Sequence, residues 1–238
     1  MRLPLPARVP LSDLAWPQAC RLVPARFQAM DCFETVLDPQ ARSEGDILSR
    51  LFELTAASAA GDLRLMDPSQ VLFGAGAGWI SPAYVLPRAA RFSSSRHGAF
   101  YVAEEIATGV EEVRHHLELD LRRERITAAM DLDYRALAVQ VQGRFHDIRG
   151  KARTRAPWSA ICAPESHAFA QAFAESLRAI DAKGIAYASV RRPGGSCLAI
   201  FDPNTLGACR HDTYLGFRWD GHAVSRVVEQ RLLALQGR

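Results

Sequence analysis

A change of hydrophobic period across residues 99–117 constrains this chain more than any other feature. Residues 99–103, Ala-Phe-Tyr-Val-Ala, are short, aromatic and β-branched, and predict a strand with Ala99, Tyr101 and Ala103 on one face. Immediately afterwards Ile106, Val110, Val113 and Leu117 fall at i, i+4, i+7 and i+11, the single apolar stripe of a helix. A strand that runs straight into an amphipathic helix needs a fold in which sheet and helix bury each other.

The rest of the chain reads as a mixture of the same two kinds of element. Residues 185–190, a turn at 191–196 marked by Pro193-Gly194, and residues 197–201 predict strand, loop and strand. Alternation over 117–126 and 136–145 predicts two further strands, followed by a polar linker at 146–157 and a helix over about 165–181. Two last strands are expected at 213–219 and 222–229, the second also able to extend as helix. No internal repeat is visible, so the expectation is one α+β domain with a mixed β-sheet core and flanking helices.

Upstream, residues 1–42 are broken by prolines and keep no sustained period. They read as an N-terminal extension packing on a domain of residues 43–238, with a short strand around 32–36. Ser43 or Glu44 can start an amphipathic helix ending near Gly61. In residues 71–80 every second position from Gly74 to Gly78 is glycine, but Trp79-Ile80-Ser81-Pro82 follows where a dinucleotide fingerprint would run into a helix. A flexible or closely packed loop near a ligand is the preferred reading there.

Bulk properties narrow the function. With 238 residues, 48% of them hydrophobic and 23% charged, the chain is an ordinary globular protein with a substantial core. Its net charge is only +3, and the densest basic run, Arg122-Arg123-Glu124-Arg125, is short and interrupted, so nucleic-acid binding is not expected. Five dispersed cysteines without a Cys-x-x-Cys pair suggest reduced thiols of a cytoplasmic protein. His115 and His116 are adjacent on one helix and diverge, no H-E-x-x-H occurs, and no metal site is expected. The N-terminus lacks an uninterrupted apolar core and no run approaches membrane-spanning length, so neither export nor membrane insertion is expected.

Among polar residues, the helix starting near 104 carries Glu104, Glu105, Glu111 and Glu112. Glu111 and Glu112 flank the apolar stripe on opposite sides, so helical geometry does not choose between them. Glu111 has Arg114 and His115 at ion-pair spacing, whereas Glu112 neighbours Thr108 and Gly109; pattern alone still favours a surface role for both. Arg91, with Arg88 and Arg96 as competitors, could clamp a phosphate or pair with a carboxylate. Tyr101 could stack on an aromatic ligand or serve as core. Ser189 shares a strand face with Tyr187 and Arg191, lacks a nucleophile elbow, and suits hydrogen bonding better than nucleophilic attack.

Taken together, Arg91-Phe92, Gly98-Ala99-Phe100-Tyr101, Thr108-Gly109-Val110-Glu111-Glu112 and the run over 184–203 resemble the RES domain, named for its arginine, glutamate and serine. Residues 26–38 also resemble an N-terminal extension of one branch of that family. The resemblance implies a fold similar to ADP-ribosyltransferases and an NAD-consuming activity, commonly that of the toxin in a toxin–antitoxin pair. It implies cleavage of the nicotinamide–ribose bond, with ADP-ribose passed to water, phosphate or a protein. No resident cofactor is then required: NAD⁺ is substrate, inorganic phosphate a candidate co-substrate, and a cognate antitoxin the partner, while a homo-oligomer is left open.

By position Arg91, Tyr101, Glu112 and Ser189 match the family's active-site residues, with Glu112, Arg91 and Ser189 as catalytic and Arg91, Tyr101 and Ser189 as substrate-binding. A protein-directed ADP-ribosyltransferase and a catalytically silent binding subunit are the alternatives. One departure stands out. Many members carry a further arginine upstream of the one matched by Arg91, where this chain has Gly74-Ala75-Gly76-Ala77-Gly78; Arg50 and Arg191 are candidates to replace it.

Overall fold

The strand-to-helix transition after residue 103 is present and organises the fold. The computed structural model describes residues 3–29, 72, 74–151, 154–163 and 166–231. After a 3₁₀ turn at Pro6–Arg8 come β1 (Leu11–Pro24), the one-turn helices α1 (Ala77–Ile80) and α2 (Pro82–Val85), β2 (Phe100–Ala103) and α3 (Ile106–Arg123). They are followed by β3 (Met130–Asp147), α4 (Trp158–Ile161), α5 (Ala168–Arg178), β4 (Gly184–Ala188), β5 (Ser196–Ile200), β6 (Leu206–Trp219) and β7 (Val224–Gln230).

The sheet order is β1-β2-β5-β4-β3-β6-β7, and β1 pairs with β3 as well, so the first five strands in that order close into a ring. Among the described residues only the short β3–β4 contact, His146↔Ile185 and Asp147↔Ala186, is parallel; the other pairings are antiparallel. The chain is thus an α+β domain with a mixed seven-stranded sheet.

Strand alternation sorts the core. Phe100 and Val102 of β2 and Leu198 and Ile200 of β5 pack with Leu137, Val139 and Phe145 of β3. The intervening Tyr101 and Ala199 face the other way, toward Phe173 and Leu177 of α5. A further cluster seats α3: Val110, Val113, Leu117 and Leu121 lie on Leu215, Phe217 and Trp219 of β6.

Several expectations change here. The proline-punctuated arm contains β1, which is not a cover over the sheet but part of it, paired with β3 from Leu11↔His146 to Pro24↔Tyr134. Its register shifts between Trp16 and Ala19, around Pro17, which has no N–H for a ladder. That bulge interrupts the alternation that would have marked the strand. The expected strand over 32–36 and helix from 43 or 44 to 61 lie outside the described residues.

Residues 117–126 are not a strand, because α3 continues to Arg123. Leu117, Leu119 and Leu121 alternate with charged residues and so imitate period two, but Leu121 extends the helical stripe into the β6 cluster. Glu118 and Arg122 meet one turn apart at 3.0 Å. The last strand, β7, does not turn into helix within its described length.

The glycine-rich segment leads into α1 and α2 rather than a ligand loop, with Pro82 at the first position of α2, where its missing N–H costs nothing. Gly76 has φ 87°, and a Cβ there would come within 2.2 Å of the Cys209 carbonyl. Close packing on β6 is what this glycine serves.

One partly buried carboxylate, Asp147, ties β1 to β3 and makes stability fall at acid pH. Burial alone raises the Asp147 carboxyl, but hydrogen bonds from the Arg149 side chain and backbone and from Ser12 Oγ outweigh it and lower the pKa from 3.8 to about 2. The folded carboxylate is favoured relative to the unfolded one, so this contribution is complete above pH 4 and disappears as pH falls toward 2. Asp147→Asn is expected to flatten the fall of Tm between pH 4 and 2; an unchanged slope in thermal melts would contradict this.

Candidate active site

Three of the four predicted site residues line one cavity of about 430 Å³ between β1, α3 and the ends of β2 and β4. Arg91, Tyr101 and Glu112 open onto it, so the loop arginine, the strand tyrosine and the helix glutamate do meet. That volume is in the range of small-molecule sites. Ser189 is buried behind the wall and touches Glu112.

Each side chain is held by a neighbouring element. Glu112 Oε1 accepts a 2.6 Å hydrogen bond from Ser189 Oγ. Ser189 Oγ in turn accepts from the backbone N–H groups of Arg191 (3.1 Å) and Arg192 (2.9 Å), so its proton and both lone-pair directions are committed. The hydroxyl therefore points the carboxylate into the cavity.

Arg91 is anchored through Nη1 to the carbonyls of Ala163 (2.9 Å) and Ile161 (3.4 Å), just past α4. Tyr101 accepts from Phe92 N at 2.9 Å and donates to Ser93 Oγ at 3.1 Å. Burial raises its pKa, against the opposing pull of those hydrogen bonds, so the phenol stays a donor and the ring stays fixed.

The competitors fall away. Glu111 pairs with Arg114 at 2.6 Å, the surface ion pair its spacing predicts. Glu104 is exposed, Glu105 binds Arg192, and Arg88 and Arg96 lie on the exposed surface away from the cavity.

Other residues line the cavity without having been singled out by pattern. Arg21 comes from β1: its Nη1 donates to the Tyr101 carbonyl at 3.1 Å and its guanidinium stacks 4.4 Å from the Phe100 ring centroid. Nothing in the sequence of a proline-broken arm marks Arg21. Arg191, named above only as a substitute for a missing arginine, also lines the wall.

His116 and His167 stand at the cavity too. Burial lowers the pKa of both; Arg191 and Arg91 add to this, while Glu112 opposes it at His116. With both imidazoles held toward the neutral form, the positive charge of the wall comes from Arg91 and Arg191. Guanidiniums around one carboxylate suit a ligand with phosphates at one end and a developing cation at the other.

A family model described as RES domain matches residues 70–220. The chain is similar to a solved structure, that of the M. tuberculosis MbcT–MbcA toxin–antitoxin complex, with 13% sequence identity, a TM-score of 0.44 and 86% of each chain covered. No curated protein matches it. Among the described residues no helix is long and apolar enough to cross a membrane.

Proposed function

The chain belongs to the RES domain family, and from that premise we propose that it consumes NAD⁺ by cleaving the nicotinamide–ribose bond, as a glycohydrolase or phosphorylase. The observation that carries this reading is Glu112: a carboxylate aimed into an arginine-walled cavity by a buried serine 2.6 Å away. Nicotinamide in NAD⁺ is a cationic leaving group and departs neutral with the bonding electron pair. The ribose left behind is oxocarbenium-like, and a fixed carboxylate beside it stabilises that charge; no protonated second carboxyl is needed. Water, losing a proton, or inorganic phosphate then captures the ribose carbon.

The other residues take complementary roles. Arg91, with Arg191, holds the pyrophosphate, which supplies from other parts of the chain the positive charge missing at residues 74–78. Tyr101, its ring orientation locked by two hydrogen bonds, stacks on the nicotinamide. Ser189 aims Glu112 and, with it, orients the nicotinamide ribose. A cognate antitoxin would restrain such an activity in the cell.

Purified protein incubated with NAD⁺, with and without phosphate, is expected to release nicotinamide, and the companion product, ADP-ribose or its 1-phosphate, identifies the acceptor. No nicotinamide from antitoxin-free protein would sink the reading; label passed to a protein would replace it with ADP-ribosyl transfer. Ser189→Ala is expected to lower kcat roughly ten- to a hundredfold, the scale of a hydrogen bond to a charged group. An unchanged kcat would remove Ser189 from the machinery.

A further inference from the structure

Residues 189–195 connect β4 to β5; Val190 and Arg191 line the cavity, while Arg192 and Gly195 lie against the N-terminal turns of α3. Arg192 reaches back from this loop, and its Nη1 donates to Glu105 Oε2 at 2.7 Å and to Thr108 Oγ1 at 3.0 Å. Gly195 rests on the fully buried Thr108: a Cβ there would lie 2.7 Å from Thr108 Oγ1 and 2.8 Å from Cγ2. Inside the loop, Ser189 N donates to the Gly195 carbonyl at 2.8 Å and Gly195 N to the Arg192 carbonyl at 3.0 Å. Thr108 and Glu112 stand one turn apart on the same face of α3. The loop therefore grips that face twice, at Thr108 through Arg192 and at Glu112 through Ser189.

We propose that Arg192 is a positioning residue for the Glu112 carboxylate. By clasping Glu105 and Thr108 it seats the loop where Ser189 Oγ reaches Glu112 Oε1. The Arg192–Glu105 pair is partly exposed, with side chains 35% and 61% accessible, so it adds little to global stability. Its effect is local, and displacement of a reacting group by roughly 1 Å can cost on the order of 10² in rate. Turnover should respond strongly and melting weakly, a combination that a merely structural contact does not give.

The kinetic part of this inference rests on the NAD-cleaving reading, and the structural part does not. Arg192→Ala, Arg192→Lys and Gly195→Ala are to be compared in the full chain by amide hydrogen exchange, nicotinamide release and Tm. Arg192→Ala is expected to speed exchange at the amides of Arg191, Arg192 and Gly195 and to lower kcat about ten- to a hundredfold with little change in KM. Arg192→Lys keeps a donor and recovers most of the rate. Gly195→Ala, which pushes the loop off Thr108, reproduces the alanine pattern.

Unchanged exchange and kcat in Arg192→Ala would overturn the proposal. So would a kcat loss accompanied by a large fall in Tm and faster exchange across the sheet. If the unmodified protein releases no nicotinamide, the NAD reading fails, while hydrogen exchange still decides whether the clasp holds the loop.

Discussion

Replacing Glu112 with alanine is expected to lower the rate of nicotinamide release by on the order of 10² to 10⁴, the usual scale for a positioned electrostatic or acid–base group. Glu112→Gln separates charge from shape. The amide keeps an oxygen to accept from Ser189 Oγ, so the side chain stays aimed, but it no longer offers a negative charge to the oxocarbenium-like ribose. If charge is what matters, the two variants fall together in kcat while NAD⁺ binding, measured directly, changes little. Glu111→Gln is the internal control, since Glu111 is engaged with Arg114 on the surface and should leave turnover as it was. A Glu112→Gln enzyme with full kcat would remove the carboxylate from the mechanism.

The second large effect is on stability. Trp219 is fully buried in the cluster where α3 lies on β6, and its Nε1 donates to the Ile126 carbonyl at 3.0 Å. Trp219→Ala leaves a cavity and an unsatisfied carbonyl, and costs about 3–5 kcal/mol. Against a total stability of about 5–15 kcal/mol this is a large share. For a chain of this size Tm is expected to fall by roughly 6–20 °C. Trp219→Phe keeps most of the ring and loses the hydrogen bond, so it should cost only about 1 kcal/mol from that source. Equal melts for Trp219→Ala and the unmodified protein would contradict the packing argument. The same cluster holds Val110, Val113 and Leu117, the helical stripe beside Glu112, so damage there also loosens the site.

Elements with one clean period were legible from sequence. The strand at β2, the start of α3, the β4–β5 hairpin and the helix α5 each carry an apolar pattern that only one secondary structure can bury. Where two periods overlap, the sequence misleads: Leu117, Leu119 and Leu121 fit a strand by alternation, and only the packing of Leu117 and Leu121 against β6 reveals the helix. β1 failed for a different reason. Its pairing partner is more than a hundred residues away, and the bulge around Pro17 erases the local alternation.

The site divides along the same line. Sequence by itself determined which chemical groups are available and, through the RES resemblance, which arginine, tyrosine, glutamate and serine to watch. Helical geometry could not choose Glu112 over Glu111, because both flank the apolar stripe; the RES resemblance pointed to Glu112, and it is Glu112 that Ser189 Oγ, from the loop after β4, reaches in space. Nor could sequence find Arg21, which comes to the edge of the cavity only because β1 lies beside β2. Local periodicity records how a segment buries its own apolar face, whereas a binding site is made where segments distant in sequence converge. That convergence is set by strand pairing, which only the tertiary structure contains.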